Sequence, residues 1–345
     1  MSAGSCEENV SIPLRNLLNS VQCIRDRVRD EEPNQSDGEF NLPNFWDTLN
    51  QAAKAVSQEA TKLSVAFSKS PFPSLQNGEK LAESTLNSVL TLSTMYYWLP
   101  KSQGLILRGQ VKDATVAVLQ GVTQLLEAIL SSPLQSLNSV SQEQLTSTGG
   151  VWAACDHFVH LPRDNKAAVL VVLSSQVGVV KDAIDEIQQA LSDAENPSND
   201  EFDDDNDPGD DQDVHWSARD RLVIGPCQGL MKASAACIRK LTSAVKTNGD
   251  FSDGQNVAQL DQLAHVSKEI SPCVDELALC LYPPMEYSDV ESNAFELAAL
   301  LKNVLGLIRS SHVCGESELT WVQFLDGAVD HNLQKARDLI QQDSL

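Results

Sequence analysis

Apolar residues recur every three or four positions along almost the whole of this chain, and no stretch alternates apolar with polar convincingly enough to make a strand. That period belongs to the α-helix, so the fold choices narrow to helices packed on helices. Leu14, Leu17, Leu18, Val21, Ile24 and Val28 form the first stripe, with Pro13 suited to a first helical turn. Trp46 to Phe67 forms the second, after Pro43, and Leu81 to Leu99 the third, stopped at Pro100. Gly104 to Leu130 is a fourth, ended by Pro133. The residues from Ser131 to Thr148 have loop composition, and Gly149-Gly150 opens a short apolar segment closed by Pro162. A long helix is predicted from Arg163 to Asp193. After an acidic interruption, stripes resume from Leu230 to Val245 and from Val257 to Ser267, where Pro272 is expected to break the helix before Val274 to Leu281. Phe295 to Ile308 and Trp321 to Ile340 complete the series. The expected fold is all-α: two antiparallel helical bundles of about five helices each. They occupy residues 10–160 and 163–345, the second interrupted by an acidic disordered segment at 193–215.

The interruption differs in kind from the rest. Between positions 193 and 213 stand eleven acids, no Lys or Arg, and one large apolar residue, Phe202. Like charges at this density repel, and nothing there offsets the entropy of ordering, so the composition predicts a linker without fixed structure. The whole chain has 25 Lys and Arg against 48 Asp and Glu, a net charge of −23. Eleven of those acids lie in the linker, so the remainder carries 37 acids against the same 25 bases. Such a balance argues against direct nucleic-acid binding and against an anionic membrane surface. The longest uninterrupted apolar run, Ala167–Leu173, falls far short of a span. Glu7 and Glu8 stand where a secretory leader needs cations, and the eight cysteines form no C-x-x-C. Both features predict reduced thiols in a cytosolic or nuclear protein.

Tests for chemistry return little. There is no G-x-S-x-G, no Cys–His signature, no phosphate-cradling loop and no dinucleotide fingerprint. His265 and His331 sit on predicted helices, where surface or capping histidines account for them. Cys155, His157 and His160 lie close together but want a second ligand pair for a structural zinc. Asp203, Asp205 and Asp207 alternate as calcium ligands do, yet counting an EF-hand loop from Asp203 puts Pro208 at the glycine place and Val214 at the final glutamate. No catalytic residue, metal or cofactor is expected. The most regular pattern is a heptad: Leu170, Val177, Ile184 and Leu191 stand seven apart, with Leu173, Val180 and Ile187 three further on. It is either a partner-binding zipper seam or a stripe buried in its own bundle, and the flanking Val169, Val171, Val172 and Val179 widen the apolar surface toward burial. Arg-x-Leu triplets at Arg15, Arg239 and Arg337 fall inside predicted helices, where an ordinary amphipathic face accounts for them.

Three blocks carry a resemblance: Tyr96–Arg108, Val151–Ala168 and Ile270–Met285. They look like the cyclin-D-binding protein family, also called cyclin-D-interacting or maternal-Id-like proteins, and the similarity runs from about residue 45 to the C-terminus with the same helix order. The resemblance implies an all-α, non-enzymatic regulator. It would bind a D-type cyclin and restrain its kinase, leaving retinoblastoma protein under-phosphorylated and the transcription factors it holds inactive. Helix-loop-helix transcription factors and a Grb-related adaptor are the other implied partners, with residence in cytoplasm and nucleus. An Id-like inhibitor should lack a basic DNA-binding region, and this sequence does. The alternative from another class is a cytoskeletal or adhesion-type helical-bundle scaffold or adaptor. The resemblance supplies no contact residues. The candidates for partner contact are the polar start of the long helix (Arg163, Asp164, Asn165 and Lys166) and the acids Asp203, Asp204, Asp205 and Asp207, which a basic patch on a partner could read.

Overall fold

The computed structural model describes residues 3–30, 40–69, 71–131, 141–195 and 215–342; the side chains of 3–10 and 195 are outside that description. Among the described residues there are α-helices, two short 3-10 turns and no strand. The helices are α1 (Ala3–Asp30), α2 (Leu42–Ala66), α3 (Leu75–Trp98), α4 (Leu105–Ser131), α5 (Gln142–His157), α6 (Asn165–Glu195), α7 (Ala218–Asn248), α8 (Gly254–Ser267), α9 (Ile270–Cys280), α10 (Tyr287–Ser310) and α11 (Glu316–Gln341). They group into two compact units, Met1–Asp164 and Asn165–Leu345.

In the first unit α1 packs on α3 and α4, α2 on α3 and α5, and α4 on α5. The stripes read from the sequence turn inward. Leu14, Leu17, Val21 and Val28 of α1, Leu49, Val56 and Leu63 of α2, Val89 and Leu92 of α3, and Val111, Val118 and Leu125 of α4 are buried. Each such aliphatic side chain is worth about 1.5–3 kcal/mol over exposure, which is why the stripe sets the helix orientation. Local signals set the ends. Asn41 Oδ1 accepts the Asn44 N–H at 2.9 Å to start α2, just ahead of Pro43 in its first turn. Past the Leu99-Pro100 stop, Gly104 takes φ = 106° to redirect the chain into α4, a conformation that favours glycine. At Gly121 the missing side chain lets α4 and α5 close up: a Cβ there would lie 3.2 Å from Val151 Cγ2.

Three local expectations are corrected. Gln142–Thr148 is not loop but the first half of α5. Ser141 Oγ accepts the Gln144 N–H, and two polar side chains of this stretch bond across the bundle to Ser64. Gln144 Nε2 donates to Ser64 O at 2.8 Å and Thr148 Oγ1 to Ser64 Oγ at 2.8 Å. In the last turn of α2 the Phe67 N–H bonds Leu63 O and the Ser68 N–H bonds Val65 O, so Gln144 serves the carbonyl between them. Residues 132–140 of that expected loop lie outside the described residues. Pro13 does not open α1; the helix runs on upstream and encloses it. The break expected at Pro272 falls earlier, at Lys268 and Glu269, and Pro272 then occupies the first turn of α9, where its missing N–H costs nothing.

In the second unit α6 packs on α7, α8 and α9, α7 on α11, and α10 on α9 and α11. Leu230, Cys237, Leu241, Leu260, Val274, Leu277, Leu297, Leu301 and Leu305 are buried there. The sequence expectation about membrane spans also needs adjusting. Although the longest unbroken apolar run is short, α4 and α6 are each long and apolar enough by composition to cross a bilayer. Most of the apolar window of α4 is buried in its bundle, against only a third of that of α6.

Candidate partner-binding surfaces

Among the described residues no three His, Cys, Asp or Glu side chains converge to hold a metal ion. Cys155 is buried, and desolvation followed by the nearby Asp156 charge pushes its thiol up to about 12, while His157 and His160 are exposed. Burial alone raises Cys227 and Cys237 to about 12 as well, so neither is a thiolate near neutrality.

The polar start of the long helix divides in two. Arg163 is exposed but anchored to the first unit: its carbonyl accepts the Trp46 Nε1–H at 2.8 Å, and its guanidinium lies 5.0 Å from the Trp46 ring centroid. Asp164 is half-buried. Asn165 is buried and donates from Nδ2 to Asp261 Oδ1 at 2.9 Å on α8, so it belongs to the interior of the second unit and offers no surface to a partner. Lys166 is half-buried. Asp203, Asp204, Asp205 and Asp207, with the rest of 196–214, lie outside the described residues.

The heptad seam is built into the second unit. Leu173, Val180 and Ile187 are fully buried and Ile184 is 7% exposed, facing α7, α8 and α9. Leu170, Val177 and Leu191 are half-buried at its margins. A free zipper through these positions would first have to strip the core of the unit. The opposite face of α6 is the one open to solvent, with Val171 54% and Val179 41% exposed beside Ser174, Ser175 and Gly178.

One constellation that the sequence reading missed holds the chain where it leaves the acidic segment. Trp216 donates from Nε1 to Leu281 O at 2.6 Å, and its ring lies 5.9 Å from that of Tyr282. Ser217 and Asp220 form a reciprocal cap on α7: Asp220 N–H to Ser217 Oγ at 3.0 Å, and Ser217 N–H to Asp220 Oδ2 at 2.7 Å. The second carboxylate oxygen, Asp220 Oδ1, accepts the Tyr287 hydroxyl at 2.6 Å from the start of α10. Burial on its own would raise the Asp220 carboxyl, but the Tyr287 and Ser217 hydrogen bonds outweigh it and hold the group below its ordinary value. Burial, then the bond to Asp220, raises the Tyr287 phenol. Arg219 lies 4.2 Å over the Tyr287 ring and donates from Nη2 to Ile340 O at 2.8 Å, tying in the end of α11. The Ser-x-x-Asp spacing at 217–220 was the available signal; the partners Tyr287 and Leu281 lie more than sixty residues away and left none.

Among the described residues the arrangement consists of exposed helix faces and anchored helix ends. The chain matches two family models. The one described as Grap2 and cyclin-D-interacting, N-terminal, covers residues 48–193, and the one described as Grap2 and cyclin-D-interacting, C-terminal, covers 199–306. It is 58% identical to a zebrafish (Danio rerio) protein named Cyclin-D1-binding protein 1 homolog, over 100% of both chains. It is 51% identical to the Xenopus laevis protein of the same name, over 95% of this chain and 98% of the relative. To the Homo sapiens protein named Cyclin-D1-binding protein 1 it is 38% identical, over 95% and 93%. The two family models meet near the acidic run, whereas the compact units meet at Asp164 and Asn165. Thus α6 matches the N-terminal model by sequence but is packed into the second unit.

Proposed function

This chain belongs to the Grap2 and cyclin-D-interacting family, and on that premise we propose that it is a non-enzymatic protein-binding regulator whose partner is a D-type cyclin. The observation that carries this reading is the end-to-end match to relatives named for cyclin D1 binding. Its consequence is restraint of the cyclin's kinase, with less phosphorylated retinoblastoma protein and quieter transcription downstream. The reading extends to capture of helix-loop-helix factors and of a Grb-related adaptor, in cytoplasm and nucleus. The net charge of −23 is consistent with capturing a transcription factor without touching DNA.

A reconstituted kinase assay separates the parts. Adding the purified chain to a D-type cyclin with its kinase should lower phosphorylation of a retinoblastoma fragment in proportion to the cyclin bound. Unchanged phosphorylation at saturating chain would overturn the inhibitory part while leaving binding intact. A basic helix-loop-helix factor should lose its DNA mobility shift when the chain is added; a shift that persists would remove the Id-like part.

A further inference from the structure

The last turns of α2 and the first turns of α3 border an open groove of ≈ 630 Å³. We propose that this groove docks a short acidic peptide of a protein partner, one that sets an apolar side chain beside its carboxylates.

The charge is the first argument. Lys62, Lys69 and Lys80 all line the groove, on a chain whose net charge is −23. Lys62 is already engaged, its Nζ 2.7 Å from Glu59 Oε1, and Glu59 is the only acid among the described lining residues. Lys69 and Lys80 form no ion pair among the described residues, although Glu79 and Glu83 are exposed beside Lys80 on α3 and outside the lining. A lysine beyond the end of α2 needs no ligand to explain it, because the carbonyl end of a helix attracts cations. Lys80 is different. It stands in the second turn of α3, near the positive end of that helix, whose first turn carries no acid. The lining residues thus carry three lysines against one glutamate, a net positive wall that an arriving carboxylate would complement.

The walls supply the second argument. Val65 is 67% exposed, and with Pro71, Pro73 and Leu81 it gives the groove an apolar side. On either side of residue 70, which lies outside the described residues, buried Phe67 stacks with Phe72 at 6.4 Å and 19°, and Ser68 Oγ donates to Val65 O at 2.8 Å. Pro71 and Pro73 fix their own φ angles. Lining residues with few accessible conformations spend less free energy on ordering when they bind. Its volume lies within the roughly 300–1,000 Å³ of compact ligand sites, enough for a few side chains and too small for a whole helix.

The remaining charge selects among anions. An extended polyanion such as nucleic acid or an anionic bilayer would bring many like charges against the rest of the surface. A short peptide feels only the charges within a Debye length of about 8 Å.

The test is fluorescence anisotropy on the full chain, with a short labelled peptide of alternating glutamate and leucine. Saturable binding that weakens as salt rises is expected, and at least about tenfold weaker binding in the variant K62E/K69E/K80E. All three lysines are exposed, so the variant should stay folded, with a drop in melting temperature no larger than the loss of the Lys62–Glu59 pair explains, which circular dichroism checks. The control K232E/K240E/K246E makes the same charge change on exposed lysines of α7 and should bind as the wild type does. No saturable binding up to about 1 mM would overturn the proposal. So would equal binding of the peptide with glutamine in place of glutamate, or equal loss in the α7 control. Phosphatidylserine vesicles that bind in a groove-dependent way where the peptide does not would replace it with a membrane site. Cyclin binding is read separately on the same variant, and its retention or loss leaves this result standing.

Discussion

The clamp at the start of α7 yields the sharpest energetic expectation. Substituting Tyr287→Phe removes one hydroxyl, with the 2.6 Å bond it donates to Asp220 Oδ1 and its interaction with the Ser217 side chain. Hydrogen bonds to charged groups contribute about 1.5–3 kcal/mol when desolvated. Asp220 is buried but Tyr287 only half-buried, so a value at or just below the bottom of that range applies, about 1–2 kcal/mol. Asp220→Ala also removes the bond to the Ser217 N–H, adding a lost cap of about 0.5–2 kcal/mol. The double variant should therefore cost less than the two single costs added, by the same coupling of about 1–2 kcal/mol. The assay is hydrogen–deuterium exchange of the first turns of α7 and α10, where that coupling appears as a factor of roughly 5–30 in protection. The pH dependence gives a second reading. The folded pKa of Asp220 is depressed below its unfolded value of about 3.9. Its contribution is thus complete above that unfolded value and is lost as pH falls through the folded one. Tyr287→Phe removes one of the bonds that depress the pKa, so its acid sensitivity should be shallower. Coupling below about 0.5 kcal/mol, within the usual error of additivity, would refute the assignment of this bond as the tie between α7 and α10.

Three further expectations can be checked alongside it. Gly121→Leu should destabilise the first unit by about 1–3 kcal/mol in thermal or urea unfolding, because even a Cβ would sit 3.2 Å from Val151 Cγ2; an unchanged midpoint would contradict the close α4–α5 approach. Val180→Asp and Ile187→Asp should unfold the second unit by leaving a buried charge unpaired, whereas Val171→Asp should change stability by no more than about 0.5 kcal/mol. Circular dichroism with size exclusion distinguishes this from a zipper, in which folded monomers would appear instead. His312 Nε2 accepts the Asp250 N–H at 3.1 Å and its Nδ1 lies 2.7 Å from Gln259 Oε1. Desolvation lowers its pKa against the opposing pull of Asp250. Its contribution is full above the unfolded value of about 6.5 and falls away as pH drops through the folded one, so exchange in the 249–253 and 311–314 turns should quicken in mild acid, and His312→Gln should remove that dependence.

The fold class was legible in the sequence because burial is periodic. The stripe through Leu49, Val56 and Leu63 and the one through Leu173, Val180 and Ile187 are read from spacing alone, and all six residues are buried. What spacing misses is long-range satisfaction of polar groups. Gln144 and Thr148 look like loop residues until Ser64, eighty positions away, takes their hydrogen bonds. Prolines mislead for a related reason: Pro272 looks like a break, yet in a first helical turn it disturbs nothing. The surfaces were less legible than the core. Asn165 resembles an exposed polar contact but is occupied by Asp261. Lys62, Lys69 and Lys80 share no pattern along the chain and converge only because the turn after α2 folds α3 back beside it. The three blocks that carry the family resemblance mark kinship, and kinship points to a partner without pointing to its contact residues.

The most direct test of the account is calorimetric titration of the purified full chain with a purified D-type cyclin. Saturable binding at a fixed stoichiometry is expected, with co-elution of the two proteins. No heat of binding at two temperatures, together with separate elution, would contradict it.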